Sequence, residues 1–152
     1  VDTNVLVRLI TRADAAQLPL TILFGHARDA LAAADVALVA SGTATLEAAL
    51  LKKPMVITYK MAEASWRLMR RMGYLPYVGL PNILAGEFVV PELLQHDATP
   101  ENLAQAVLNT LNDTVVRERI PQRFAAIHRE LKCNTAEQAA RAVLPLLARA
   151  TA

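Results

Sequence analysis

The chain has 152 residues, enough for one domain with one sizeable core and too few for two independent ones. Hydrophobic residues make up 54%, charged residues 20% and aromatic residues 5%, which excludes a disordered chain, disfavours an all-β sandwich and suits helices packed on a short buried sheet. Sixteen Lys and Arg against fourteen Asp and Glu leave a formal charge of +2, too little for the electrostatic footprint of duplex binding, so no nucleic-acid partner is expected.

In chain order, residues 1–18 read poorly, with a helix over 4–16 as the expectation. Residues 19–25, Pro-Leu-Thr-Ile-Leu-Phe-Gly, and 36–40, Val-Ala-Leu-Val-Ala, are short apolar runs that predict buried strands. The intervening 28–35 is rich in helix formers, so 19–40 reads as a β-α-β unit with parallel strands. An Ala- and Leu-rich helix over 44–52, a third buried strand over 54–59 and a helix over 62–72 continue the alternation. Gly73, Pro76, Gly79, Pro81 and Gly86 then read as a long irregular region up to Phe88-Val89-Val90.

Thr99-Pro100 opens the next helix, with Thr99 as N-cap, Pro100 at the first helical position, and Leu103, Val107, Leu108 and Leu111 as its apolar face. The remainder, 115–150, predicts two helices parted at Lys132-Cys133-Asn134. The second carries a Thr135–Gln138 capping box and an Ala139, Val143, Leu146, Leu147 face. Cys133, the single cysteine, excludes an internal disulfide and a thiolate zinc site and is expected to be buried at the junction, in a reducing, cytosolic setting. No apolar run reaches the roughly 18–20 residues of a membrane span.

Chemistry concentrates at Ala40-Ser41-Gly42-Thr43-Ala44-Thr45-Leu46-Glu47, where a buried strand meets a helix. Small residues at such a joint let backbone N–H groups approach an anion, and the helix start adds partial positive charge. In open α/β sheets ligands bind at the carboxyl ends of strands. The alternative is that Ser41 or Thr43 only caps the helix and Gly42 only makes the turn. Glu47 fits neither a capping box, since Ala44 stands three residues before it, nor an i,i+4 pair, since Leu51 stands four after it. A carboxylate in an apolar helix needs a partner, which a ribose diol would supply; interaction with the helix dipole is the alternative.

Ser41–Leu50, followed by Lys53-Pro54-Met55-Val56 and Tyr59-Lys60-Met61, resembles the nucleotide-binding half of the lipid-A-disaccharide synthases. Val78–Gly86 with Pro91-Glu92-Leu93-Leu94-Gln95 is similar to the family's second hallmark, and Leu131–Ala140 to its C-terminal helix. The resemblance implies an α/β fold: a Rossmann-like parallel sheet flanked by helices, as the C-terminal domain of a GT-B glycosyltransferase, with extra C-terminal helices. It implies that residues 1–152 are that UDP-sugar-binding domain, with the acceptor domain and general base outside this chain, so no catalytic residue is assigned and the chain alone is expected to be inactive.

The implied reaction moves 2,3-diacylglucosamine from its UDP conjugate to 2,3-diacylglucosamine 1-phosphate, giving a β-1,6 disaccharide and UDP, without metal or other cofactor. Ser41, Gly42, Thr43 and Thr45 would face the diphosphate, Glu47 the ribose and Asn82 the UDP-sugar, while Glu92 and Gln95 would orient donor hydroxyls. An Asn82 that only caps a turn is the alternative. The implied location is the cytoplasmic face of the bacterial inner membrane, held peripherally. Residues 52–71 carry six cations and one acid around Trp66, Leu68, Met69 and Met72, which suits a phosphorylated lipid surface or simply a solvated basic face. A homodimer through the C-terminal helices is a further expectation. Competing readings are another GT-B transferase using a UDP-hexosamine and a non-catalytic Rossmann-like dimerisation module. His26, His96 and His128 lie in separate segments and receive no role.

Overall fold

The structure, a computed structural model, describes residues 23–40, 42–73 and 76–150, except for the side chains of 72 and 145–150. Its elements are α1 (Ala27–Ala33), β1 (Ala37–Ala40), α2 (Thr43–Leu50), β2 (Met55–Tyr59), α3 (Glu63–Met72), α4 (Leu80–Ala85), β3 (Glu92–Leu94), α5 (Pro100–Asn112), α6 (Thr114–Leu131) and α7 (Thr135–Ala150). The three strands form one parallel sheet in the order β1-β2-β3. Ala37 pairs with Met55 and Ala40 with Thr58; Ile57 pairs with Glu92 and Tyr59 with Leu94. All three strands therefore end on one edge, at Ala40, Tyr59 and Leu94.

The apolar strands are buried because helices cover them. Ala37, Val39, Met55 and Ile57 join one cluster with Ala44, Ala48 and Ala49 of α2, Val89 and Val90, and Ile120, Phe124 and Ile127 of α6. Leu38 and Val56, one position out of phase along their strands, are buried on the other face. Helices α2, α4 and α6 pack on one another, and α5 packs on β2. The small side chains of α2 bring its backbone close to the sheet, so the position of its first turn is fixed by packing. This is the Rossmann-like α/β architecture that the resemblance implies.

Several expectations change. Residues 19–22 and the proposed helix over 4–16 lie outside the described residues; Leu23, Phe24 and Gly25, expected to close a strand, are exposed and irregular. The irregular region contains α4, because a proline in the first turn of a helix, here Pro81, loses no hydrogen bond. The sheet's third described strand, Glu92–Leu94, is not among the expected elements. Thr99 does cap α5, its Oγ1 accepting from the Asn102 N–H at 3.3 Å, but Leu108 of the expected apolar face is half exposed. Asn134 caps α7, accepting from the Glu137 N–H at 3.3 Å while the Glu137 carboxylate accepts from Asn134 Nδ2 at 3.0 Å; Thr135 is the first helical residue. Cys133 is exposed, because the chain at this junction turns away from the core rather than crossing it.

Phe124 is the largest fully buried side chain and joins α6 to the sheet. Phe124→Ala is expected to lower the unfolding free energy by about 3–5 kcal/mol in urea denaturation; a loss below about 1 kcal/mol would show that α6 is not part of this core.

Candidate functional site

The turn between β1 and α2 is open in a way that its neighbours are not. Gly42 is the N-cap of α2 and has φ 141° and ψ −163°, a region essentially restricted to glycine. Among the described residues beyond its chain neighbours, no atom lies within 4 Å of where its Cβ would stand, so the constraint is backbone conformation rather than close approach. With glycine at the cap there is no capping side chain; the Thr45 N–H donates to the Gly42 carbonyl at 3.1 Å, and among the described residues no side chain accepts from the N–H groups of Thr43 and Ala44, which a helix leaves without an internal partner. The reading of Ser41 or Thr43 as the cap is thereby corrected for Thr43, which is the first helical residue and exposed. Ser41 lies outside the described residues.

Thr45 is fully buried, and its Oγ1 donates to the Gly42 carbonyl at 2.7 Å. It does not face outward toward an anion; it fixes the turn from behind. Glu47 lies one turn beyond Thr43 on the same side of α2. It is half-buried, and among the described residues its carboxylate has no hydrogen-bond or ion-pair partner. The start of α2 therefore has N–H groups at Thr43 and Ala44 with no side-chain acceptor among the described residues, and a carboxylate one turn further on, at Glu47, with no partner among them.

The second hallmark is organised in the opposite manner. Asn82, in α4, is fully buried and uses its whole side-chain amide on the protein. Its Oδ1 accepts from the N–H groups of Val89 at 2.9 Å and Val90 at 3.1 Å. Its Nδ2 donates to the Val90 carbonyl and to Glu92 Oε1, each at 2.8 Å. Glu92 in turn accepts from the N–H of Val78 at 2.8 Å and of Gly79 at 2.9 Å. The carboxylate thus holds the N–H groups just ahead of α4, beside the positive end of the helix. Space is tight at Gly79: a Cβ there would meet Ile57 Cδ1 and Glu92 Oε1, so the ends of those side chains would have to move.

Gln95 follows β3 in the left-handed region, φ 50°, and is buried. Its side chain reaches the backbone of Met61, Oε1 accepting from the N–H at 2.6 Å and Nε2 donating to the carbonyl at 3.0 Å. An amide side chain here continues the parallel pairing of β2 and β3 beyond Leu94, and two hydrogen bonds offset the strained backbone. Asn82, Glu92 and Gln95, expected to contact the donor, make their hydrogen bonds in this structure to protein backbone and, between Asn82 and Glu92, to each other. The sequence had no signal for this, because the partners are 7 to 34 residues away along the chain. Among the described residues no cluster of three His, Cys, Asp or Glu is placed to hold a metal ion.

If Asn82 is this brace, Asn82→Ala leaves two buried N–H groups without an acceptor. It is then expected to destabilise the chain by about 2–5 kcal/mol in urea denaturation. A cost within about 0.5 kcal/mol, the range of ordinary surface substitutions, would contradict the role.

Comparison with known proteins shows the family. The family model described as lipid-A-disaccharide synthetase matches residues 3–143. The lipid-A-disaccharide synthase of Dechloromonas aromatica (strain RCB) is 62% identical over 138 residues, covering 91% of this chain and 36% of that protein. That of Aromatoleum aromaticum (strain DSM 19018 / LMG 30748 / EbN1) is 60% identical over 137 residues, covering 90% and 35%. The enzyme of Methylobacillus flagellatus (strain ATCC 51484 / DSM 6875 / VKM B-1610 / KT) is 52% identical over 158 aligned positions, covering 96% and 42%. The chain therefore spans somewhat over a third of the length of these relatives. With the family model matching residues 3–143 on a parallel α/β fold, the chain belongs to the lipid-A-disaccharide synthetase family.

Proposed function

We propose that this chain supplies the donor-nucleotide site of a lipid-A-disaccharide synthase, a glycosyltransferase that moves 2,3-diacylglucosamine from its UDP conjugate to 2,3-diacylglucosamine 1-phosphate. The product is the β-1,6 disaccharide, and UDP is released. The observation that carries the proposal is the open start of α2, with Gly42 in a glycine-only conformation and Glu47 uncommitted on the same helix. In this reading the backbone at Gly42 and Thr43, with Ser41, receives the diphosphate, and Glu47 accepts from the ribose hydroxyls. Negative charge grows on the diphosphate as the anomeric carbon–oxygen bond breaks, and N–H groups at a helix start stabilise it most in that state. Thr45, Asn82, Glu92 and Gln95 act behind this surface as positioning residues. The base that takes the acceptor hydroxyl's proton is assigned to no residue here.

The reading extends to a cytoplasmic protein held peripherally at the membrane, and to a homodimer. In support of the first, α3 exposes Leu68 beside Arg67, Arg70 and Arg71, with Trp66 half-buried, a mixture suited to anionic lipid. Among the described residues no helix is long and apolar enough to cross a membrane. In support of the second, α7 leaves Val143 and Leu144 exposed, an apolar surface that a second copy would cover.

Calorimetric titration of UDP into this chain tests the donor site. Saturable binding is expected, weakened about tenfold or more by Glu47→Ala, a loss of about 1.4 kcal/mol. At 100 times the dissociation constant, UDP is expected to stabilise the wild-type chain by roughly 2.7 kcal/mol. Undiminished binding by Glu47→Ala would contradict the ribose assignment, and a melting temperature indifferent to UDP would favour the non-catalytic dimerisation module.

A further inference from the structure

At the end of α2 away from Gly42, the chain turns toward β2 through a conformation that glycine ordinarily supplies. The Lys52 N–H donates to the Ala49 carbonyl at 2.9 Å and the Lys53 N–H to the Ala48 carbonyl at 3.0 Å. This pair of bonds closes a helix whose first outside residue is left-handed. That residue is Lys52, with φ 60°, where a Cβ is disfavoured. The turn alone gives no reason for a lysine.

The side chain supplies one. Lys52 Nζ donates to the Leu50 carbonyl at 2.5 Å and lies 2.6 Å from His128 Nδ1 on α6. An ammonium only donates, so Nδ1 accepts and the imidazole proton sits on Nε2. Around this pair Gln122, Ala125, Arg129 and Lys132, all on or just after α6, complete an open pocket of about 510 Å³. Three permanent cations, an imidazole N–H donor and a carboxamide line it, with no carboxylate among them. The dipole of α6 accounts for basic residues in its last turn. It does not account for a lysine from the turn after α2, in a left-handed conformation, joining them.

We infer that this pocket is a second anion site, for a phosphomonoester or diphosphate group, separate from the start of α2. Charge-assisted hydrogen bonds from lysine and arginine to phosphate oxygens are among the strongest that side chains make, and here they converge on one concavity. Lys52 lies before β2 and Gly42 follows β1, so the two sites are at opposite ends of the parallel sheet. The same chemistry arises from a soluble diphosphate or from an anionic lipid headgroup.

Two arms separate these sources. In the first, inorganic pyrophosphate is titrated into this chain while the His128 ring resonances are followed, so that binding at Gly42 is read separately. In the second, the chain is sedimented with vesicles of phosphatidylglycerol and phosphatidylcholine, against phosphatidylcholine alone. The informative variant is Lys52→Gly, which removes the cation and restores the residue the turn prefers, so its urea midpoint is expected to be no lower than wild type. Lys132→Gln gives an independent check.

A saturable His128 shift, weakened about tenfold in Lys52→Gly, supports the site with a soluble ligand. Phosphatidylglycerol-dependent sedimentation that both variants reduce supports it with a lipid headgroup. The inference is overturned if both variants bind pyrophosphate and vesicles as wild type does, or if pyrophosphate leaves His128 unmoved and sedimentation does not depend on Lys52 and Lys132.

Discussion

A buried side-chain amide has four hydrogen-bonding positions to satisfy, and Asn82 satisfies all four within a short stretch of chain. Burial without partners would cost several kcal/mol, on the order of 1–3 kcal/mol for each orphaned group, so α4, the segment Val89–Val90 and the first residue of β3 must keep their relative positions. Glu92 passes that constraint on to Val78 and Gly79, and Gly79 to Ile57 in the middle of the sheet. Gln95 ties the far end of β3 to Met61 after β2. A three-residue strand is thereby anchored at both ends by side chains, which its own ladder would not achieve.

The consequence for function is a division of labour between two glycine-led helix starts. At α4 the positive end of the helix is already filled by the Glu92 carboxylate. At α2, among the described residues, no side chain takes the corresponding place, and Glu47 stands one turn away without a partner among them. In the proposed reading the anionic ligand is received at α2, while the second hallmark holds the surrounding backbone in place. The alanines of α2 set its distance from the sheet, so core packing places the site to within the tolerance that binding requires.

Much of this was readable in the residues. Buried strands at 37–40 and 55–59, the helix between them and the Thr99-Pro100 start follow from local rules: short apolar runs, strong helix formers and a capping residue. Glu47 stood out because no local rule accommodated it. The failures share one cause. Pro81 and Gly79 read as breakers because sequence does not show that a helix begins between and around them. Glu92–Leu94 is too short and too polar at its start to register as a strand without its partner. Asn82, Glu92, Gln95 and Thr45 look like ligand contacts in a motif, and only the fold shows their polar atoms turned to backbone. Lys52 and His128 are 76 residues apart and meet only once α2 and α6 are packed.

The account rests on the claim that the donor nucleotide meets the backbone of the α2 turn, while the polar side chains of the second hallmark stay bound to the protein. Mapping amide chemical shifts during addition of UDP tests this directly, because backbone N–H and side-chain NH₂ signals are read together. The result it predicts is a large, saturable shift at Gly42, Thr43 and Ala44, with the Asn82 and Gln95 side-chain NH₂ signals retained near their starting positions. Unmoved amides at 42–44, or NH₂ signals of Asn82 or Gln95 that move as far as any backbone amide, would contradict it.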